Sequence, residues 1–268
     1  MQERVIEEIA SVWRNAVTTV VFTGAGMSTE SGLPDFRSKQ GLWKQRPESL
    51  ATMAALQQTP DAFYFFYQWR IQQLWSVEPN AGHLALAQLE KANRVSHVIT
   101  QNVDGLHHRA GSSRVSELHG SLKTVSCLKC QSRFDSRQLL PKVEGWEADY
   151  QNGSYRHGAE CRCPACGGLL RPDVVLFGES LPDDAWKTSQ EWSRKADLFV
   201  VIGSSLVVSP ANYLPQMAVE AGAKLLIINQ EPTPLDQLAT WRLQAKAAEA
   251  ITAIAQALTA DNPNQGAD

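Results

Sequence analysis

Four short runs of β-branched and aliphatic residues constrain this chain more than anything else in it. They are TTVVFTG (18–24), VSHVIT (95–100), DLFVVIG (197–203) and AKLLIIN (223–229). Each is apolar at successive positions instead of alternate ones, so both faces of each strand must be covered. Helical segments separate them: Ile6, Ile9, Val12 and Trp13 form one apolar stripe, HLALAQLEKA (83–92) another, and a helix is expected around 244–258. Strands alternating with helices in this way predict an α/β fold with a doubly wound parallel sheet. VVLFG (174–178) reads as a weaker fifth strand, and DNPNQGAD (261–268) as a loose polar tail.

Two stretches break that rhythm. Residues 38–80 are rich in Trp, Tyr, Phe and Gln and read as mostly helical, while 120–172 hold all five cysteines and few apolar runs. Both are expected to be insertions projecting from the sheet, and the crevice between body and insertion is the natural ligand site. At 43% hydrophobic and 20% charged residues, the chain can bury an ample core. A net charge of −3 argues against a nucleic-acid surface. With no long apolar run and an acidic, helical start, neither a membrane span nor a signal segment is expected, and a cytoplasmic location follows.

In a reducing compartment, cysteines point to metal or redox use. Cys127 and Cys130 form one Cys-x-x-Cys knuckle; after a thirty-residue gap come Cys161, Cys163 and Cys166. Two such knuckles predict a tetrahedral structural zinc ribbon, closed to water and substrate. Cys163 is favoured over Cys161 because C-P-A-C-G-G has tight-turn chemistry, with Cys161 as the alternative.

After the first strand, Gly24-Ala25-Gly26 makes a turn suited to a pyrophosphate, with backbone N–H groups and a helix N-terminus following it. The third glycine of a dinucleotide fingerprint is missing, and no acidic residue sits at the end of the second strand for an adenosine ribose. The missing acidic residue speaks against an ordinary dehydrogenase. Gly-Leu-Pro-Asp-Phe-Arg (32–37) cannot continue a helix and predicts a mobile loop. Gln101, Asn102 and Asp104 fall at a strand's C-terminal end, where α/β sheets bind ligands. His119, beside a glycine at the entrance to the cysteine segment, is a general-base candidate.

Together GAGMSTESGLPDFRS, TQNVDGLHHRAG, ELHG, the paired knuckles, RPDVVLFGE, GSSLVVSPANYLP and IIN resemble the sirtuins, NAD-dependent protein lysine deacylases. The motifs stand in family order from residue 24 to about 250; Val103, where isoleucine is common, and the extra Cys161 are slight departures. The resemblance implies a Rossmann-type NAD-binding domain of residues 1–119 and 173–260, with the helical insert at about 38–80. A zinc-binding small domain occupies 120–172 and a flexible tail 261–268.

It further implies that Gly24, Ala25 and Gly26 cradle phosphates and that Asp35, Phe36 and Arg37 fold over the nicotinamide ribose. Gln101, Asn102, Val103 and Asp104 line the nicotinamide pocket. Gly203, Ser204, Ser205, Asn229 and Gln230 hold the adenosine half, with Trp43 and Ala247 as further cofactor contacts. Val175, Gly178 and Glu179 pair with an acylated-lysine protein substrate as an added strand. His119 is the implied base, and Cys127, Cys130, Cys163 and Cys166 the implied ligands of one zinc. NAD is consumed as co-substrate, giving nicotinamide and O-acyl-ADP-ribose. A mono-ADP-ribosyltransferase or a non-enzymatic nucleotide-sensing zinc module are the alternatives.

The stretch FYFFYQWR (63–70) packs six aromatics into eight residues and ends on arginine. On a helix, Tyr67 and Arg70 share a face. Within the family this Tyr-x-x-Arg pair marks the branch preferring acidic acyl groups, which predicts a desuccinylase and demalonylase with weaker deacetylase activity. Ala51, Ala54 and Ala55 are expected to leave room for the longer chain.

Overall fold

The computed structural model describes residues 2–260; the expected tail at 261–268 lies outside the described residues. Its large sheet has six strands: β1 (Thr19–Thr23), β2 (His97–Thr100), β3 (Val115–Glu117), β7 (Leu198–Ile202), β8 (Lys224–Ile228) and β9 (Trp241–Leu243). The spatial order is β3-β2-β1-β7-β8-β9, and every pairing is parallel, with Val20 opposite His97 on one side and Phe199 on the other. That order reverses between β1 and β7, the switch point of a Rossmann-type sheet. All four continuous apolar runs became central strands. β3 and β9 went unforeseen because three residues at a sheet edge carry too little pattern.

Helices cover both faces. One layer holds α1 (Gln2–Asn15), α5 (Ala81–Lys91) and α10 (Ala247–Ala260), with Ile9, Trp13, Leu86, Ile251 and Ile254 against Val21, Val98 and Val200. On the other, α8 (Asp183–Lys195) and α9 (Tyr213–Glu220) cover Phe22, Phe199 and Val201. No helix among the described residues is long and apolar enough to cross a membrane.

The helical stretch consists of α2 (Leu42–Gln45), α3 (Met53–Gln58) and the long α4 (Pro60–Ser76). The cysteine segment forms an antiparallel sheet, β5-β4-β6, from β4 (Gly120–Cys127), β5 (Arg133–Asp135) and β6 (Leu170–Val174), with a short α7 (Trp146–Gln151) whose Trp146 and Tyr150 rings pack on Phe65 of α4. A third core joins α4 to this small sheet, through Phe63, Tyr64, Phe66 and Tyr67 against Val125, Leu139 and Leu170. The remaining helix, α6 (Leu106–Ala110), follows β2.

Two expectations need correction. The weak strand expected at 174–178 lies earlier, at Leu170–Val174; beyond it only Phe177 bridges Thr52. Gly178 has φ of +90°, which strand geometry cannot accommodate. Nor does an α-helix follow the glycine turn: Ala25–Met27 and Thr29–Ser31 are single 3-10 turns, so no helix N-terminus faces the turn.

Candidate functional site

The C-terminal ends of β1 and β7 meet at the switch point, and their turns are pressed together. A Cβ on Gly24 would stand 2.8 Å from the Gly203 carbonyl oxygen, one on Gly26 2.8 Å from Gly203 Cα, and one on Gly203 2.5 Å from the Met27 nitrogen. Gly203 also has φ of +63°. The glycines are there so that two turns can touch. Their amides are spent on the same contact: the Gly24 N–H donates to Ile202 O (3.1 Å) and the Gly26 N–H to Gly203 O (2.8 Å). What they present to a ligand is bare backbone surface, not the row of free donors that the turn suggested.

A cavity of about 350 Å³ opens over this junction. Gly24, Ala25, Gly26, Gly203, Ser204, Ser205, Asn229 and Gln230 line one end; Asp35, Phe36, Arg37 and Trp43 line its side. Ala247 is not among the lining residues; it opens α10 and is buried in the core. The loop before α2 is stitched in place. Asp35 Oδ1 accepts from the amides of Arg37 (3.1 Å) and Ser38 (2.8 Å), and the amides of Leu42 and Trp43 reach Asp35 O and Phe36 O. Arg37 pairs with Glu48 at 2.6 Å, and the Phe36 ring lies 5.0 Å from that of Trp43.

Beyond β2, buried Asn102 donates to Gly24 O (3.0 Å) and Ser28 Oγ (3.1 Å), while Ser28 Oγ donates to Asp104 Oδ2 (2.7 Å). Burial raises the Asp104 carboxyl, opposed by hydrogen bonds from the Leu106 amide and Ser28. Ser28 completes this polar corner but was not foreseen, since a serine in G-A-G-M-S reads as ordinary turn composition. Glu231, just beyond Asn229-Gln230 in the same polar turn, also lines the cavity. Val103 lines the cavity and packs on the α4 core. Gln101 donates to Ser204 Oγ at 3.2 Å, linking the β2 and β7 turns.

His119 lies in the same cavity, between β3 and β4. Its chain can turn there because Gly120 has φ of +72° and a Cβ at that position would be 2.2 Å from Asp173 O. His119 Nδ1 is 3.0 Å from Gln101 O. A carbonyl only accepts, so Nδ1 carries the hydrogen and the Nε2 lone pair is left free. Burial holds the imidazole below its usual range, with the Gln101 bond opposing and the Arg37 charge assisting. A neutral histidine with one free nitrogen is equipped to take up a proton.

Tyr67 and Arg70, one turn apart on α4, also line the cavity, together with Ala51. Ala54 is exposed and Ala55 is buried in the core, so of the three alanines only Ala51 faces the space. Tyr67 is 1% exposed, and burial pushes its hydroxyl up to about 12, opposed by Arg70. Half-buried Arg70 lies over the rings of Phe36 (5.3 Å), Phe66 (5.5 Å) and Tyr67 (5.7 Å). Among the described residues no carboxylate is within ion-pair distance of it. Burial works against its charge, while Tyr67 and the more distant Asp104 support it.

Val175, Gly178 and Glu179 also line the cavity. Both Glu179 oxygens are occupied: Arg171 reaches them at 2.6 and 2.9 Å, and the Leu176 amide donates at 2.8 Å. Glu179 therefore shapes this segment. The Val175 amide is tied to His119 O at 2.9 Å, which fixes the wall to the histidine.

Away from the cavity, the sulfurs of Cys127, Cys130, Cys163 and Cys166 all lie within 4.8 Å of one another. The Cys127–Cys166 and Cys130–Cys163 separations are 3.5 and 3.7 Å. Tetrahedral Zn–S bonds of about 2.3 Å give S···S edges of about 3.8 Å, so the donor set fits zinc. Hydrogen bonding by Ser132 pulls the Cys130 thiol down to about 6, which favours the thiolate. Cys161 stands outside the group, fully buried, its thiol pushed well above the usual range by burial.

Residues 24–210 match the profile of the Sir2 family. The chain belongs to that family. It is 49% identical over 248 residues to NAD-dependent protein deacetylase 1 of Geobacillus kaustophilus, covering 91% of this chain and 95% of that one. To the NAD-dependent protein deacylase of Pyrococcus furiosus it is 42% identical over 247 residues, covering 91% and 94%. Among solved structures, a Sir2 homologue–NAD complex superposes with a TM-score of 0.81 at 38% identity, covering 94% of this chain and 93% of that one. A Sir2 variant with deacetylated p53 peptide and 3′-O-acetyl-ADP-ribose gives 0.82 at 35% identity, covering 93% and 96%. The glycine-floored crevice at the switch point, the serine hydroxyls beyond β7 and the polar corner at Asn102–Ser28–Asp104 fit a dinucleotide in this Sir2 chain.

Proposed function

We propose that this Sir2 protein is an NAD-dependent protein lysine deacylase that favours acyl groups ending in a carboxylate, succinyl and malonyl above acetyl. The observation that carries the preference is Arg70: a half-buried guanidinium beside the His119 cavity, stacked on three rings and lacking a carboxylate partner. Guanidinium grips carboxylate through two charge-assisted hydrogen bonds, and the Tyr67 hydroxyl adds a third donor. Relatives that are named NAD-dependent deacetylase and deacylase support the reaction class.

When bound, NAD supplies a cationic nicotinamide as leaving group and a ribose hydroxyl as the acyl acceptor. The chain's own work is to hold and move protons. His119 Nε2, with its partner nitrogen committed to Gln101 O, accepts the proton of that hydroxyl. Asn102, Ser28 and Asp104 present a fixed polar surface to the nicotinamide end. The segment Val175–Gly178, held by Glu179 and Arg171, offers backbone to the substrate as an added strand.

Matched peptides carrying acetyl-, malonyl- or succinyl-lysine test the preference in wild type and Arg70→Met. A hydrogen bond to a charged partner is worth about 1.5–3 kcal/mol, so desuccinylation should fall on the order of 10–100-fold while deacetylation is spared. Equal losses on both peptides would return Arg70 to the role of an ordinary core-edge arginine. Product analysis separates the reaction classes: O-acyl-ADP-ribose marks the deacylase, ADP-ribosylated protein a transferase.

A further inference from the structure

Helix α4 carries two opposite stripes. At 3.6 residues per turn, Tyr67, Arg70 and Leu74 face the cavity, whereas Asp61, Tyr64, Phe65, Gln68 and Trp75 face away from it. Every member of the second stripe is fastened to the cysteine module or its connecting loops. Asp61 accepts from the His157 amide at 3.0 Å, Tyr64 donates to Leu170 O at 2.8 Å, and Trp75 donates to Ser136 Oγ at 3.0 Å. The Phe65 ring stacks on Tyr150 with 3.6 Å between centroids.

Gln68 is wholly buried, as Tyr64 is, but its amide is bound at both its donor and its acceptor end. Its Nε2 donates to Leu139 O at 2.8 Å and, at longer range, to Glu160 Oε1 (3.3 Å) and Cys161 Sγ (3.6 Å). Its Oε1 accepts from Tyr155 at 2.5 Å. Four partners thus come from residues 139–161, the stretch between the two metal knuckles. A buried amide satisfied on both ends fixes a helix in rotation as well as in distance, because slippage leaves several polar groups unpaired.

We propose that Gln68 is the positioning residue through which the cysteine module sets the Tyr67–Arg70 pair, so that metal retention by the module and selection of acidic acyl groups are linked. The proposal rests on the acidic-acyl reading above. If helix rotation is fixed from the module, an acyl carboxylate held at Arg70 must in turn steady the module, since coupling between sites is reciprocal. An acetyl group, which touches neither donor, has no such effect. Cys161, buried beside Gln68 and outside the metal set, is on this reading part of the connection and not a spare ligand.

The test uses the full-length, zinc-loaded protein with Gln68→Met and, from the module side, Tyr155→Phe, which leaves α4 untouched and serves if the first variant does not fold. Both should raise KM for a succinyl-lysine peptide, roughly tenfold for Gln68→Met and less for Tyr155→Phe. KM for the matching acetyl peptide, KM for NAD and one zinc per chain should be retained. Independently of turnover, succinyl peptide should slow zinc release to a chelator in wild type more than acetyl peptide does, and the variants should abolish that difference. Equal KM rises for both peptides, or a wild-type succinyl preference left intact by both variants, would overturn the proposal. A wild type without succinyl preference, insensitive to Arg70→Met, is a separate signature: the acidic-acyl reading then fails and takes this proposal with it.

Discussion

Proton placement at His119 is the single-residue property on which the proposed chemistry turns. Burial, with help from the Arg37 charge, holds its imidazole below the ordinary value of 6.5, while the Gln101 bond opposes. A base works in its deprotonated form, so a lowered value extends activity toward acid. We expect the acid-side fall in kcat/KM to have its midpoint below pH 6.5; a fall already half complete at pH 7 would contradict this assignment. General-base catalysis is typically worth roughly 10²–10⁴-fold, and His119→Ala should lose that much while still binding NAD and zinc. A loss below about tenfold with NAD still bound would remove His119 from the role. His119 could be singled out from sequence because it stands at a domain junction facing the expected crevice, and a histidine's pKa lies near neutrality. Ser28 could not, because serine beside glycine is common in turns whatever its function.

Among the elements, those with a strong local pattern were legible and those made by tertiary context were not. Continuous apolar runs announce buried parallel strands, and all four became β1, β2, β7 and β8. β4 and β6 gave no such signal, since Lys123, Thr124, Arg171, Pro172 and Asp173 are polar or strand-averse residues held in an antiparallel sheet by their module. The glycine turn misled in a different way: its glycines answer to Gly203, 177 positions beyond Gly26, and a contact at that separation leaves no local trace. Cysteine spacing was more informative, though it left Cys161 and Cys163 both open. The four-sulfur group includes Cys163, and Cys161 lies instead in the α4 core. The module has few apolar residues beyond those it packs on α4, so bound zinc is expected to supply much of its stability. Cys163→Ser should therefore release zinc and unfold the module, while Cys161→Ser keeps one zinc per chain; metal analysis of the two purified variants checks this, and the reverse pattern would hand the fourth position to Cys161.

Taken as a whole, the molecule buries three histidines that the proposed chemistry does not use, and these tie its stability to pH. His83 and His97 are 0% and 7% exposed, and burial pushes each down to about 4; His107, 2% exposed, is also lowered well below its ordinary value. Lowered values mean that the unfolded chain takes up protons near pH 6.5 that the folded chain refuses, so stability is present above 6.5 and is lost as pH falls below it. By pH 5 a histidine held near 4 costs roughly 2 kcal/mol of folding stability. Asp104 and Glu117, raised by burial, work in the opposite sense, so the whole-protein curve mixes several groups. A difference between variants separates them. His97 stacks on Trp192 with ring centroids 5.3 Å apart and meets Ser116 Oγ at 2.8 Å, contacts that glutamine can largely replace without titrating. We therefore expect His97→Gln to change stability by a fixed amount at pH 7.5 but to lose about 2 kcal/mol less than wild type between pH 7.5 and 5, read from urea unfolding at both values. Parallel losses in the two proteins would mean that His97 is protonated in the folded state, and that burial does not hold it neutral.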